Sequence, residues 1–327
     1  MWIVGVDVGG TTSAAGVVTE TGEVVADATA ATESTDRGRA LDAIAVLIER
    51  VSQRMGRRGA AIGIGVPGPV DARNGRVGEP VTHVPALAGQ AVGPELARRC
   101  GLPVFVDNDV NALALGEWMF GAGRGATSVV VLAAGTGVGA GIVLDGRIVR
   151  GAMGFGGELG HTPVKFDGPP CFCGGRGCLA IYASGRGIAD AARGRIAGHT
   201  TSRILAAAGG DPKAITAAMV FGAAAEGDPA AGVVVDEACR ALGATIATIV
   251  NGLNPEVIVI TGGVARSLAP LAARILSAAG EHAFAQALAA TRVVIVPGDK
   301  RAGVRGAAAL AIYETQDRTT ERRRTAP

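Results

Sequence analysis

Four side chains that commonly ligate metals lie close together in the middle of the chain. They are His161, Cys171, Cys173 and Cys178, and the glycines at 174, 175 and 177 lie among the cysteines. One imidazole and three thiolates form a tetrahedral donor set that suits Zn²⁺. Because the protein supplies all four ligands, the predicted zinc is structural rather than catalytic. The alternative, three reduced cysteines without a metal, accounts less well for this spacing.

Acidic and amide side chains follow directly after a short apolar strand. Val104–Val106 is predicted to be a buried strand, and Asp107, Asn108 and Asp109 come next. Ligands of α/β folds bind at the carboxyl ends of strands, and polar groups are costly there unless they have a partner. One alternative is that Asp109 caps a helix over 111–120. A cap needs one such residue and the sequence supplies three, so Asp109 is predicted to accept the proton of an alcohol that attacks a γ-phosphoryl group.

Three glycine-rich turns each follow an apolar strand. Their residues are Asp7-Val8-Gly9-Gly10-Thr11-Thr12, Gly135-Thr136-Gly137 and Thr261-Gly262-Gly263. Glycines let backbone N–H groups line up against phosphate oxygens, and threonine hydroxyls add donors. Asp7 could hold Mg²⁺ directly or through water, as phosphoryl transfer requires. Any one of them alone could be no more than a tight turn, but three together, two of them in duplicated positions, favour a phosphate site.

Two familiar nucleotide-binding motifs, the P-loop and the dinucleotide-binding glycine motif, are not supported by the sequence. The chain has no G-x-x-x-x-G-K-[ST] sequence, which excludes a P-loop. The segment 63–68 matches G-x-G-x-x-G after a strand, but Pro67 and Pro69 prevent the helix that should follow. A dinucleotide-binding interpretation therefore loses its best support.

The elements around these motifs alternate between strands and helices. An amphipathic helix is predicted over Arg37–Arg54, with Leu41, Ile44, Leu47, Ile48 and Val51 on one face. Strands are predicted at 2–8, 14–18, 24–28, 60–66, 104–106, 128–134, 140–144, 257–261 and 292–297, and further helices at 94–100, 187–197, 229–252 and 302–313. The alternation predicts an α/β layered fold.

The opening arrangement of strand, glycine turn and strand recurs about residue 128. The first copy covers 3–22 and the second covers 128–146. Two copies of one supersecondary unit predict two similar halves that face each other.

Composition limits the partners of the chain. It has 327 residues, 48% hydrophobic residues and a formal net charge of +2, as expected of a soluble globular protein that attracts neither nucleic acid nor a membrane surface. The apolar segment 127–144 contains four glycines and is better interpreted as strand, turn and strand than as a membrane span. No secretory signal precedes the first strand, and we expect a cytoplasmic protein. The arginine-rich end, 314–327, is interpreted as a frayed tail rather than a binding arm.

The chain resembles the ROK family of repressors and sugar kinases, especially its glucokinase-like branch, from about residue 3 to residue 313. The matching segments are Asp7–Thr12, Gly65–Asp71, Asp107–Ala112, Leu132–Gly141, Glu158 with His161, Cys171–Cys178 and Ile260–Gly263. The resemblance implies an actin-like (ribonuclease H-like) ATPase fold with two α/β domains and an interdomain cleft. It implies a small domain of 1–117 with 299–316, a large domain of 118–298 that carries the zinc site, and a disordered tail of 317–327.

The same resemblance implies the roles of individual residues in a homodimeric ATP-dependent hexose 6-kinase. ATP with Mg²⁺ would be bound through Asp7, Gly9, Gly10, Thr11, Thr12, Gly135, Thr136, Gly137, Gly262 and Gly263. Asp109 would be the catalytic base, and Asn108 would donate to the 3- and 4-hydroxyls of the sugar. Glu158, His161 and Gly68 would also bind the sugar, with His161 serving both zinc and substrate through its two ring nitrogens.

Two departures from the family pattern concern the sugar. The family usually has a glutamate after the cysteine motif, where this chain has Ala180, and an Asn followed by Gly-Trp, where it has 82–87 (Thr-His-Val-Pro-Ala-Leu). The substrate is therefore hypothesised to be a glucose derivative, such as the amino sugar kanosamine (3-amino-3-deoxyglucose), whose ammonium would lie near Asn108 and Glu158. Two alternatives remain: a sugar-responsive transcription regulator, for which the six residues before Asp7 leave no room for a DNA-binding domain, and a weakly catalytic sugar sensor, which Ala180 favours.

Overall fold

The first half of the chain builds a sheet with helices around it. The protein is described by a computed structural model that covers residues 2–55, 59–198, 202–299 and 301–325. The first strands are β1 (Trp2–Val8), β2 (Thr12–Thr19), β3 (Val24–Ala31), β4 (Ala61–Val66), β5 (Val70–Asp71), β6 (Arg76–Val77) and β7 (Val104–Asn108). The helices among them are α1 (Arg37–Met55), α2 (Val92–Cys100) and α3 (Asp109–Phe120).

The second half adds strands β8 (Val129–Ala134), β9 (Val138–Leu144), β10 (Arg147–Ile148), β11 (Val257–Thr261) and β12 (Arg292–Ile295). Its helices are α4 (Leu179–Ala183), α5 (Gly185–Ile196), α6 (Arg203–Ala207), α7 (Ala217–Ala225), α8 (Pro229–Leu253), α9 (Ala265–Leu268), α10 (Ala272–Gly280), α11 (Ala285–Ala290) and α12 (Ala302–Thr325). Short 3₁₀ helices lie at Pro85–Leu87, Leu159–His161, Pro212–Ala214 and Ala269–Leu271. Most predicted elements are present, with bounds that differ by a few residues.

The two larger sheets have the same strand order. Within the described residues, one runs β3-β2-β1-β4-β7 and the other runs β10-β9-β8-β11-β12. In each sheet a strand pairs in parallel with a strand from much later in the chain, since β1 pairs with β4 and β8 pairs with β11. The predicted duplication of one supersecondary unit is therefore confirmed by topology.

The chain divides into two compact units. Unit 1 comprises Met1–Thr127, Gly141–Gly157 and Lys300–Pro327, and unit 2 comprises Ser128–Ala140 and Glu158–Asp299. Helix α12 belongs to unit 1, where it packs on β1 and β4. Unit 1 also includes 118–127 and 141–157, which lie within the predicted large domain of 118–298.

The core of unit 1 lies on both sides of its sheet. On one side α1 buries Leu41, Ile44, Leu47, Ile48 and Val51, the face that its spacing predicts. On the other side α12 packs directly on the strands. A Cβ added to Gly5 of β1 would lie 2.0 Å from the carbonyl oxygen of Val304, and one added to Gly63 of β4 would lie 1.7 Å from that of Ala307. These glycines lie within strands rather than at strand ends, and they let the backbone of α12 approach the sheet.

The last helix extends further than its sequence predicts. The predicted end was Tyr313, but α12 runs to Thr325, into the segment expected to be a disordered tail. Glu, Gln and Arg favour helix, and no glycine or proline interrupts this stretch before Pro327. Residues 326–327 and the arginine side chains of the expected tail lie outside what the structure describes. Across the described ranges, no helix combines the length and the apolar character that crossing a membrane requires.

Candidate active site and metal site

Three parallel strands of unit 1 end in one row of residues. Asp7 of β1 pairs with Gly65 of β4, and Gly65 pairs with Asp107 of β7. Paired residues of parallel strands point their side chains to the same face, so the two carboxylates share one face of the sheet, on backbones about 10 Å apart at two strand spacings. Gly65 lets the start of α3 approach β4 closely, since a Cβ there would lie 3.2 Å from the Cα of Asp109.

Asp7 is a partly buried carboxylate that lies against the start of α12. A Cβ on Gly303, at the start of α12, would lie 2.1 Å from its Oδ2 atom. No hydrogen bond or ion pair to this carboxylate occurs within the described part of the chain. Burial accordingly raises the pKa of Asp7 above its ordinary value of 3.8. Such a group costs stability when ionised, which makes it a candidate for binding a cation.

The turn Gly9–Thr12 is held by side chains that the sequence did not single out. The Thr32 hydroxyl donates to the carbonyl oxygen of Gly9 at 2.7 Å and lies 2.8 Å from the Ser13 hydroxyl. Gly10, Thr11 and Thr12 are exposed. The exposed His83, from the segment that departs from the family pattern, lies against this turn: its Cβ is 3.2 Å from the position of a Cβ on Gly10. The departing segment therefore lies beside the predicted phosphate turn of unit 1.

Asn108, not Asp109, caps the helix that follows β7. The Asn108 side-chain oxygen accepts from the backbone N–H groups of Val110 at 2.9 Å and Asn111 at 3.2 Å. Helix α3 begins at Asp109, two residues earlier than predicted, because the cap precedes Asp109. The Asn108 amide nitrogen donates to the carbonyl oxygen of Gly68 at 3.1 Å, which joins two predicted substrate-binding residues. One amide hydrogen of Asn108 then remains for a ligand, enough for one hydroxyl rather than two.

Asp109 lies at the first position of α3. Its Oδ1 atom accepts from the N–H of Val110 at 2.9 Å, and the side chain is half-buried. The positive end of the helix dipole lies beside this carboxylate. An ionised carboxylate that follows the end of a parallel strand is suited to accept a proton from an alcohol.

Asp107 is bound to side chains that the sequence analysis missed. Its carboxylate accepts from the Arg150 Nε atom at 2.6 Å and from the Asn111 amide at 3.0 Å. Arg150 also donates to Glu314 of α12 at 2.6 Å. A buried carboxylate signals that a partner exists, but the sequence does not say which distant arginine supplies it.

The other two predicted phosphate turns meet within unit 2. Gly135 and Thr136 follow β8, Gly262 and Gly263 follow β11, and these strands are parallel neighbours. The N–H of Val264 donates to the carbonyl oxygen of Ala134 at 2.9 Å. The start of α5 holds the first turn, since the N–H of Gly185 donates to the carbonyl oxygen of Gly135 at 2.8 Å.

Some of these glycines are not required by the turns themselves. Among the described residues, Gly135, Gly137 and Gly263 have no positive φ angle, and a Cβ added to any of them would meet nothing within 4 Å. Neither the backbone conformation of the turns nor packing within the protein therefore requires glycine at these positions. Open space beside the backbone is what a closely approaching ligand needs.

Glu158 and His161 lie in one short turn of unit 2. Glu158 is exposed and precedes the 3₁₀ helix Leu159–His161, and its carbonyl oxygen accepts from the N–H of His161 at 3.0 Å. Gly160 fixes the turn against β9, because a Cβ there would lie 1.8 Å from the carbonyl oxygen of Val138.

The predicted metal ligands do come together. One ligand atom from each of His161, Cys171, Cys173 and Cys178 lies within 4.8 Å of all the others. The Sγ atoms of Cys173 and Cys178 are 3.7 Å apart, and Nδ1 of His161 is 3.6 Å from Sγ of Cys171. Two sulfurs bound to one tetrahedral zinc at about 2.3 Å would be about 3.8 Å apart, and a nitrogen and a sulfur about 3.6 Å apart. The separations fit one tetrahedral ion.

Local hydrogen bonds shape this cluster. The N–H of Gly175 donates to Sγ of Cys173 at 3.4 Å, and this bond is the main cause of a lowered pKa at Cys173. Burial, together with the neighbouring thiols of Cys173 and Cys171, raises the pKa of Cys178 to about 12. Three thiolates at this spacing need a cation to compensate their charge.

Ala180, which replaces a family glutamate, is buried in α4. Its carbonyl oxygen accepts from the Ser184 hydroxyl at 2.6 Å. The position offers no polar side chain to a sugar.

Comparison with known proteins identifies relatives along the whole chain. The model of the ROK family matches residues 3–314. The glucokinase of Thermotoga maritima is 36% identical over 310 residues, which cover 94% of this chain and 96% of that protein.

Solved structures agree with this similarity. A ROK family glucokinase from Streptomyces griseus, in complex with glucose and AMPPNP, has a TM-score of 0.80 and 32% identity, and the match covers 95% of this chain and 99% of that chain. A ROK family transcriptional regulator, a homologue of the E. coli MLC protein, has a TM-score of 0.82 and 32% identity, and covers 95% of this chain but 78% of that chain.

Proposed function

The chain belongs to the ROK family, and from that premise we propose that it transfers the γ-phosphoryl group of ATP to the 6-hydroxyl of glucose or a glucose derivative. It is an ATP-dependent sugar kinase of the glucokinase-like branch and has the actin-like ATPase fold of ROK sugar kinases. The position of the hydroxyl, the identity of the sugar and the roles of individual residues belong to the proposal.

The observation that carries the proposal is the row of residues at the ends of β1, β4 and β7. It places the partly buried Asp7 on the same sheet face as Asp107, with Asp109 two residues further along the chain. Gly65, in the strand between them, lets the backbone of Asp109 come close to β4. A phosphoryl-transfer site needs a cation-binding carboxylate and a separate base for the alcohol.

In the proposed reaction, the ionised carboxylate of Asp109 accepts the proton of the sugar hydroxyl as the hydroxyl oxygen forms a bond to the γ-phosphorus. The bond between the γ-phosphorus and the β–γ bridging oxygen breaks, and ADP leaves with that oxygen. Asn108 donates its remaining amide hydrogen to one sugar hydroxyl. Glu158 and His161, in unit 2, are proposed to bind the sugar as well.

Backbone amides are proposed to hold the nucleotide. Gly9–Thr12 in unit 1 and the turns at Gly135–Gly137 and Gly262-Gly263 in unit 2 are the segments assigned to this role. The exposed turn in unit 1 and the open space beside Gly135, Gly137 and Gly263 support the assignment. Asp7 is proposed to hold Mg²⁺, which glucokinase-type kinases use with ATP and which neutralises charge on the phosphates.

Replacement of Asp109 tests the base. Purified protein is given ATP, Mg²⁺ and glucose, ADP release is measured, and NMR of the product identifies the phosphorylated oxygen. Asp109→Asn should lower kcat by about 10²–10⁴-fold because the amide cannot accept the proton. Asp42→Asn, an exposed carboxylate of α1, serves as the control and should keep full activity. Full activity in Asp109→Asn would remove this residue from the mechanism.

Kanosamine is proposed as a candidate substrate because Ala180 removes a family carboxylate. The amide of Asn108 presents an N–H, which suits a hydroxyl oxygen rather than an ammonium, so pairing with an ammonium rests on Glu158. A panel of hexoses and amino hexoses should give the highest kcat/KM for an amino sugar, and Glu158→Gln should reduce that preference. If glucose is better by about tenfold, or ~1.4 kcal/mol, the amino-sugar proposal is wrong.

Structural zinc is proposed for the cluster of His161, Cys171, Cys173 and Cys178. A bound ion would fix the turn that carries His161 and Glu158, since Nδ1 of His161 faces the cluster. Elemental analysis should find about one zinc per chain, and a strong chelator should lower the melting temperature. Cys178→Ser should lose the metal, while Cys100→Ser, outside the cluster, should keep it. Equal metal content in the two variants would contradict the proposal.

A sugar sensor with little catalysis is the second candidate. The similarity to a ROK transcriptional regulator and the absent glutamate at Ala180 favour it. Calorimetric sugar binding without ADP release in the presence of ATP and Mg²⁺ would support the sensor over the kinase.

A further inference from the structure

Asp107, Arg150 and Glu314 form an ion-pair cluster attached to the turn that carries Asn108 and Asp109. Nε of Arg150 lies 2.6 Å from Oδ2 of Asp107, and Nη2 lies 2.6 Å from Oε1 of Glu314. The Asp107 side chain is 1% exposed and the Arg150 side chain is 25% exposed. All three residues belong to unit 1.

Asp107 divides its two oxygens between the turn and Arg150. Oδ1 accepts from the N–H of Asn108 at 2.7 Å and from the amide of Asn111 at 3.0 Å, and Oδ2 accepts from Arg150. Within the described residues, Arg150 is the cation that pairs with this carboxylate. The orientation of the carboxylate, and with it the peptide N–H of Asn108, therefore depends on the guanidinium.

Arg150 is itself held in place from several sides. Its guanidinium carbon lies 5.9 Å from the centre of the Tyr313 ring, and its carbonyl oxygen accepts from the N–H of Gly156 at 2.8 Å. Burial lowers the pKa of Arg150, but the carboxylates of Asp107 and Glu314 outweigh that effect and raise it, so the side chain stays charged. A planar guanidinium can meet two carboxylates in fixed directions, which an ammonium cannot.

We propose that Arg150 is a positioning residue: through Asp107 it sets the turn that presents Asn108 and Asp109 to the sugar. The inference rests on the proposed function, in which Asp109 is the base. An error of about 1 Å in the placement of a catalytic group can cost on the order of 10²-fold in rate. A positioning role therefore predicts that the activity falls by more than a smaller folded fraction of the protein would explain.

The chain offers a matched control for a purely structural role. Arg99 of unit 1 also joins two carboxylates, those of Asp42 and Glu95, and its side chain is 26% exposed. Its three residues lie on α1 and α2. Arg99→Gln thus removes the same kind of interaction without touching the proposed site.

The experiment compares wild type, Arg150→Gln, Arg150→Lys and Arg99→Gln with glucose, ATP and Mg²⁺, and it measures kcat, both KM values and the melting temperature. At a temperature where every variant is folded, Arg150→Gln should lower kcat by about 10- to 100-fold with an unchanged KM for ATP. Arg150→Lys keeps the charge but loses the planar guanidinium, so its kcat should lie between that of wild type and that of Arg150→Gln. Arg99→Gln should keep the kcat of wild type.

Two results would overturn the positioning role: a kcat of Arg150→Gln equal to that of Arg99→Gln, or, where Arg150→Gln does not fold, a wild-type kcat in Arg150→Lys. Asp109→Asn, measured in parallel, separates this failure from failure of the proposed function. If Asp109→Asn is inactive while Arg150→Gln is fully active, only the positioning role is wrong. If Asp109→Asn is fully active, the proposed base is wrong.

Discussion

At the carboxyl end of β7, adjacent polar residues have different roles. Asn108 caps α3, Asp107 pairs with Arg150, and Asp109 accepts a bond from its own helix terminus. The ligand site that polar residues after a strand predict stays a prediction. The alternative of a helix cap is wrong for Asp109, because the residue that caps α3 is Asn108. A helix cap and a ligand site draw on the same residue types, because both need side-chain oxygens near unpaired backbone groups.

The partial burial of the Asp7 carboxylate leads to a prediction about how stability depends on pH. Burial raises the pKa of Asp7 in the folded protein above the value of about 3.9 in the unfolded chain. The stability that this group contributes is therefore complete below the unfolded pKa and is lost as the pH rises through the folded pKa. Asp7→Asn stays neutral, so the ligand-free variant should melt above wild type at pH 7, with a difference that shrinks as the pH falls towards 4. Each kcal/mol corresponds to about 2–4 °C in a unit of this size.

Asp7→Asn should weaken the binding of nucleotide and Mg²⁺, although it raises the stability of the ligand-free protein. AMPPNP with Mg²⁺ should stabilise folded wild type by about 2.7 kcal/mol at a ligand concentration of 100 Kd, and so raise its melting temperature. Asp7→Asn should lose much of this stabilisation. Asp42→Asn is the control for both measurements. A ligand-free Asp7→Asn that melts at or below wild type at pH 7 would contradict the assigned cost of burying this carboxylate.

The position of helix α12 depends on its close packing against strands β1 and β4. Gly5 and Gly63 pair across β1 and β4, and both face the backbone of α12. The same helix carries Glu314, the second partner of Arg150. Close packing of the last helix thus determines both the stability of unit 1 and the position of the ion-pair cluster.

A methyl group at Gly63 should separate α12 from the sheet. Gly63→Ala would place Cβ 1.7 Å from the carbonyl oxygen of Ala307, so the backbone must move. Overpacking of this kind costs about 1–3 kcal/mol or more, and circular dichroism should show a lower melting temperature. Gly38→Ala in α1 is the matched control, because its nearest contact is an ordinary 3.5 Å and alanine favours helix by about 1 kcal/mol. If Gly63→Ala melts no lower than Gly38→Ala, α12 does not pack as described.

At the scale of the molecule, both large sheets repeat one strand order, and the family match spans residues 3–314. Duplication explains why the glycine turns after β1 and after β8 occupy equivalent places in their sheets. Cytoplasmic location, the homodimer and the absence of nucleic-acid partners stay predictions. The described helices give no candidate for a membrane span.

The sequence by itself predicted the main strands and helices and the types of candidate site residue, because both depend on local patterns. Periodicity predicts a strand or helix, and glycine turns, carboxylates and the Cys/His spacing carry their chemistry wherever they lie. It could not determine contacts over long separations, such as Asp107 with Arg150 and Glu314, or Gly63 with Ala307. Those contacts follow from which strands pair and which face a helix covers, and side-chain types alone do not specify a partner far along the chain. The tertiary structure also decided that the oxygen of Asn108 belongs to the helix cap, since only the backbone path after β7 shows which unpaired N–H groups it meets.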